Sequence, residues 1–120
     1  MVVTIPDYPY SHATAKDVEG IPVWGIRSLD QIHPKQLQYG EVPDGDKGAL
    51  MPGYVTSGDY VFVATGTGST ITGARRSAYA AVKRVEIPNS PSYRTDIGVG
   101  RLVKQLPAIQ ALGYATGLSF

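Results

Sequence analysis

The chain has 120 residues, the size of one domain (1–120) that can bury a core of its own. Hydrophobic residues make up 42% and charged residues 18%, proportions of a globular protein and not of a disordered one. Eleven Lys and Arg against ten Asp and Glu leave a net charge of +1, which offers no basic field to nucleic acid or to an anionic membrane, and the absence of cysteine excludes disulfides, thiolate catalysis and cysteine-held metals.

The first six residues, Met1 to Pro6, carry no basic stretch and no long apolar run, so they do not read as a signal peptide. No run approaches the ~20 apolar residues of a membrane span. With no cysteine to oxidise, a cytoplasmic location is expected. Val2 to Ile5 is a short β-branched run closed by Pro6. Ile21 to Ile26 alternates poorly, and Pro22 removes a ladder donor, so this stretch does not read as a central strand. Gln36 to Val42 and Leu50 to Thr56 flank the turn formers Pro43 to Gly48 and together predict a hairpin. Ser57-Gly58-Asp59 reads as a turn, and Tyr60 to Ala64, apolar on both faces, as the central strand.

Beyond Ala64 the period changes. Ile71, Ala74, Ala78, Val82 and Val85 fall three or four apart on one helical face, with Arg75, Arg76, Lys83 and Arg84 mostly outside it. Ser69 or Thr70 can cap this helix, and Pro88 stops it. A second helix is predicted from about Ile97, interrupted or restarted at Pro107 and closed by Gly113. The order predicts an α+β fold with two helices.

Few stretches carry chemistry. Gly66-Thr67-Gly68-Ser69-Thr70 stands where phosphate loops occur, but Ile71 replaces a fingerprint glycine and Ala74 follows Gly73 where a Walker loop needs Lys, so a tight turn with a cap is expected. Asp44-Gly45-Asp46-Lys47-Gly48 resembles part of a calcium loop but lacks the third ligand and the terminal bidentate Glu, so it reads as a hairpin tip. Ser11 and His12 invite a nucleophile–base pair, but adjacent residues rarely face each other and no orienting acid is evident. His12 and His33 do not have the spacing of a zinc-protease helix. In Tyr93-Arg94-Thr95-Asp96-Ile97-Gly98, Asp96 can cap the following helix or pair with Arg94, and the Arg94 fork suits a carboxylate or phosphate.

These residues fall into a larger pattern. Gly58-Asp59-Tyr60-Val61-Phe62-Val63-Ala64, then Gly68, the helix with Ala78-Tyr79-Ala80-Ala81-Val82, and Tyr93 to Gly98 resemble the C-terminal domain of glycinamide ribonucleotide synthetase (phosphoribosylamine–glycine ligase). That family shows a glycine-led strand, an Ala-Tyr helix and a Tyr-Arg-x-Asp-Ile-Gly loop in this order. Tyr8-Pro9 followed by Lys16-Asp17-Val18 also resembles the family's Tyr-Pro loop and strand entry. The resemblance covers roughly residues 2 to 101. Gln38-Tyr39-Gly40-Glu41 stands where the family has His-Ala-Gly-Thr.

The resemblance implies a small, mainly antiparallel β domain with helices, of the rudiment single-hybrid type, packed on the ATP-grasp and N-terminal domains of a purine-biosynthesis ligase. Tyr8, Pro9, Tyr93, Arg94, Asp96 and Gly98 would be its substrate-binding or interdomain residues. ATP and magnesium would belong to the parent enzyme. No catalytic residue, cofactor or metal site is expected in this chain, which should be inactive alone. The alternative is a free-standing binding or scaffolding module. Trp24, Tyr39, Tyr54, Tyr114, Leu118 and Phe120 exceed the needs of one core, which predicts an exposed apolar patch and self-association.

Overall fold

A computed structural model describes residues 1–6, 8–9, 12, 14–26, 37–39, 54–88 and 92–120. The strands are β1 (Val2–Thr4), β2 (Glu19–Val23), β3 (Leu37–Tyr39), β4 (Tyr54–Ser57) and β5 (Tyr60–Ala64). The helices are α1 (Ala15–Val18), α2 (Ile71–Val82) and α3 (Arg101–Ala111). The fold is a small α+β domain whose described strand pairs are antiparallel.

β5 is central, as its two apolar faces require. It lies between β1 and β3, with Val3 and Tyr39 both in register with Phe62. Val61, Phe62 and Ala64 are buried. Val3, Ile5, Val18, Val23, Ile26, Val82, Val85 and Ile87 complete most of the core around them.

Among the described residues the two arms of the predicted hairpin do not pair with each other. β3 pairs with β5, and β4 pairs with β2 in a separate two-stranded sheet. A strand buried on both faces gains most from a partner on each edge, so β5 takes β3, which leaves β4 to β2. The turn formers Pro43 to Gly48 lie outside the described residues. Pro22 is accommodated because β2 has only one neighbour, and the register shifts between Glu19 and Pro22. There the buried Thr56 hydroxyl replaces ladder bonds, donating to the Val18 carbonyl and accepting from the Ile21 amide at 3.1 Å.

Lys16-Asp17-Val18 is a turn of helix, not the start of a strand. Thr14 offers both its amide and its hydroxyl to the Asp17 carboxylate, at 2.8 and 2.7 Å. These bonds favour the ionised form and hold the Asp17 pKa below the ordinary aspartate value.

α2 begins where Thr70 accepts from the Gly73 amide at 3.0 Å. A Cβ on Gly66 would lie 2.1 Å from the Ala74 carbonyl oxygen, and one on Gly68 would lie 2.6 Å from the Ala74 nitrogen. Both glycines therefore serve close packing of the β5 exit against the helix. α2 stops at Val82, short of Pro88. Val85, Glu86 and Ile87 alternate buried, exposed, buried, and Glu86 exchanges backbone bonds with Trp24 at 2.9 and 3.0 Å. Extended pairing wins over a further helical turn there.

α3 starts at Arg101, later than predicted, and runs through Pro107 without a break. Gly113, at φ +83°, ends it: its amide bonds Gln110 and the Tyr114 amide bonds Ile109, the Schellman arrangement. No helix among the described residues is long and apolar enough to cross a membrane.

Candidate interdomain site

The loop from Tyr93 to Gly98 is held at both ends. At its start, Ser92 exchanges backbone bonds with Thr4 of β1 at 2.7 and 2.9 Å. Tyr93 packs against the core and meets Tyr79 edge-on, ring centroids 6.4 Å apart. At its end, two side chains of α2 grip the main chain. The Tyr79 hydroxyl donates to the Arg94 carbonyl at 2.8 Å and accepts from the Ile97 amide at 3.2 Å. Arg75 donates from Nε to the Ile97 carbonyl at 2.8 Å and from Nη2 to the Thr95 carbonyl at 3.0 Å.

Arg75 and Tyr79 can act together because they are one helical turn apart, on one face of α2. The guanidinium carbon lies 4.5 Å from the Tyr79 ring centroid, a cation–π contact that fixes both side chains. Gly98 completes the clasp at φ +76°, where a Cβ would come within 3.3 Å of the Arg75 stem. The positive φ and the close approach both call for glycine.

Arg94 and Asp96 are the loop's outward face. Arg94 Nε donates to Oδ1 of Asp96 at 2.8 Å and Nη2 to Oδ2 at 2.6 Å. Their side chains are 73% and 58% exposed, so the pair is not a buried clamp. The hydrogen bonds to Arg94 hold the Asp96 pKa below the ordinary aspartate value, and they raise that of Arg94. Asp96 does not cap α3. Its carboxylate is committed to Arg94, and Gly100 holds the N-cap position with no side-chain bond. An exposed, planar, bidentate pair can exchange partners with an incoming carboxylate, phosphate or cation at small cost.

Beside the loop, the open face of α2 and the end of β5 form a groove of about 370 Å³. Ile71, Ala74 and Ala78 line it, with Gly66, Ile97 and Gly98 opposite. These helix positions were expected in the core, and the structure leaves all three only half-buried. The covalently adjacent Tyr8 and Pro9, joined by a cis peptide, are exposed, and Tyr8 packs on Tyr60 of β5 at 6.0 Å between centroids. His12 is exposed, and Ser11 lies outside the described residues.

Among the described residues no group of three or more His, Cys, Asp or Glu could hold a metal ion. Sequence reasoning found the loop but missed Arg75 and Tyr79 as its supports. Their spacing of four was visible, but their partners are main-chain groups, which carry no sequence signal. No protein-family model, curated protein or solved structure matches the chain.

Proposed function

We propose that the chain is the C-terminal domain of an ATP-dependent carboxylate–amine ligase similar to phosphoribosylamine–glycine ligase. It packs on the ATP-grasp and N-terminal domains and walls their cleft in the cytoplasm. The observation that carries this reading is the clasp. The Ala-Tyr helix and the Tyr-Arg-x-Asp-Ile-Gly loop, separate pieces of the family pattern, act as one unit because Tyr79 and Arg75 bond the loop's main chain. The clasp holds the loop backbone still while Arg94 and Asp96 face outward for a substrate anion or a neighbouring domain.

The proposal gives this chain no step of ATP chemistry. That chemistry belongs to the ATP-grasp core. The isolated chain should release no phosphate from ATP with magnesium, with or without glycine and an amine. The coding sequence upstream of Met1, or a neighbouring gene, should encode an ATP-grasp core. Turnover by the chain alone, or no such core in either place, contradicts the proposal. A free-standing binding module is the second reading, favoured by a core closed by the chain's own residues; a missing ATP-grasp gene selects it.

A further inference from the structure

The apolar face of α2 is longer than the core it serves. At about 100° per residue, Ile71, Ala74, Ala78 and Val82 fall within about 80° of one another, on one stripe of the helix. Val82 ends that stripe buried in the core, with Ala81 beside it. Ile71, Ala74 and Ala78 are only half-buried and floor the groove of about 370 Å³. Gly66 approaches the Ala74 and Ala78 side of the stripe, and Gly98 approaches Arg75 on the other side. Both margins are therefore walled by main chain. The volume lies in the range of small-molecule sites, about 300–1,000 Å³.

Arg75 is the charged side chain in that lining, and it is half-buried. Its Nε and Nη2 donate to the carbonyls of Ile97 and Thr95, and its guanidinium lies over the Tyr79 ring. Those partners are dipoles and a ring, and none carries a full negative charge. Among the described residues no carboxylate stands within ion-pair distance of Arg75, and the nearby Asp96 is committed to Arg94. A guanidinium has five N–H bonds in a fixed fork. With Nε and one bond of Nη2 used, the edge formed by Nη1 and Nη2 is left for a two-oxygen acceptor. The first-turn amides of α2 do not compete for it. Ile71 donates to the Ser119 carbonyl at 2.8 Å, and Gly73 donates to Thr70.

We propose that the groove binds a small carboxylic acid, with its apolar body on Ile71, Ala74 and Ala78 and its carboxylate on the open edge of Arg75. The lining holds no Asp or Glu to receive an amine, and the floor holds no polar side chain to receive a sugar. One fork edge matches one carboxylate, whereas a phosphate dianion calls for more donors. The inference stands apart from the ligase reading, since it uses neither Arg94 nor Asp96.

Titration of the full chain with hexanoate, hexanol, hexylamine and acetate at neutral pH, followed by amide shifts in NMR, tests it. Hexanoate should shift the amides of Ala74, Ala78 and Gly98 saturably. It should bind at least about tenfold more tightly than hexanol, the factor that a charge-assisted contact supplies. Acetate, a head group without a body, should bind far more weakly, and hexylamine should not bind. Arg94→Ala should keep the hexanoate affinity, and Ala78→Leu, which fills the floor, should lose it. Arg75→Gln should remove the preference for hexanoate over hexanol while hexanol still binds; a merely structural Arg75 would weaken both alike. No saturable shift in the wild type, equal binding of hexanol or acetate, loss of binding in Arg94→Ala, or an acid preference kept by Arg75→Gln overturns the proposal. If Ala78→Leu does not fold, the wild-type ligand series still decides.

Discussion

Replacing Tyr79 by Phe removes one oxygen and keeps the ring. The edge contact with Tyr93 and the cation–π contact with Arg75 survive, while the bonds to the Arg94 carbonyl and the Ile97 amide are lost. A typical hydrogen bond contributes about 0.5–1.5 kcal/mol net, and these two lie in an exposed loop where water can replace the hydroxyl. The lower half of the range applies to each, about 1–2 kcal/mol for the two together. For a domain of this size that lowers Tm by roughly 3–10 °C. Amide exchange reads the same event locally. The Ile97 amide should exchange faster in Tyr79→Phe, while amides of β5 keep their order of protection. An unchanged Tm together with unchanged Ile97 protection would refute the clasp as the support of this loop.

Arg94→Ala and Asp96→Ala should leave Tm unchanged, because the pair is exposed and caps no helix; a clear loss of Tm from either would show that the pair holds the loop. Thr70→Ala should cost about 1 kcal/mol in a denaturant melt by removing the N-cap bond to Gly73, and no loss would mean that water caps the helix equally well. Gly25→Ala should be among the most damaging single substitutions: its Cβ would lie 1.9 Å from the Arg84 carbonyl oxygen at φ +88°, forcing apart the Trp24–Glu86 pairing, and a soluble variant with wild-type Tm would contradict this. The Asp17 carboxyl should titrate below the ordinary aspartate value by NMR and move up in Thr14→Ala; since its folded pKa lies below its unfolded one, its contribution is present above the unfolded pKa and lost as pH falls through the folded one, and an ordinary midpoint in the wild type would contradict the bonding.

Local signals were legible in the sequence. Tyr60 to Ala64 announced a central strand because both of its faces are apolar. Thr70 and Gly113 announced helix ends because caps depend on a few adjacent residues. Pairing was not legible. The stretches ending at Val42 and beginning at Leu50 look like hairpin arms, but which edge each strand joins depends on burial far along the chain. Asp96 read as a cap or as a partner of Arg94, and the structure takes the pair. The start of α3 was placed early, near Ile97, because that start assumed the cap. Pro107 looked like a break, yet it sits on an exposed side of the helix, where losing one backbone bond is tolerated. The open groove beside α2 was invisible too, since Ile71, Ala74 and Ala78 carry the same periodicity whether a helix face is covered or bare.

The proposal that this chain completes a carboxylate–amine ligase meets its most direct test in reconstitution. The chain is mixed with the ATP-grasp core that the proposal places upstream of it or in a neighbouring gene, and ADP formation is followed with magnesium, a carboxylic acid and an amine. The account predicts that the core alone is slow, that adding the chain raises acid- and amine-dependent turnover, and that Arg94→Ala loses most of that gain while retaining its Tm. A core whose turnover does not respond to the chain, or an Arg94→Ala chain that restores it fully, would contradict the account.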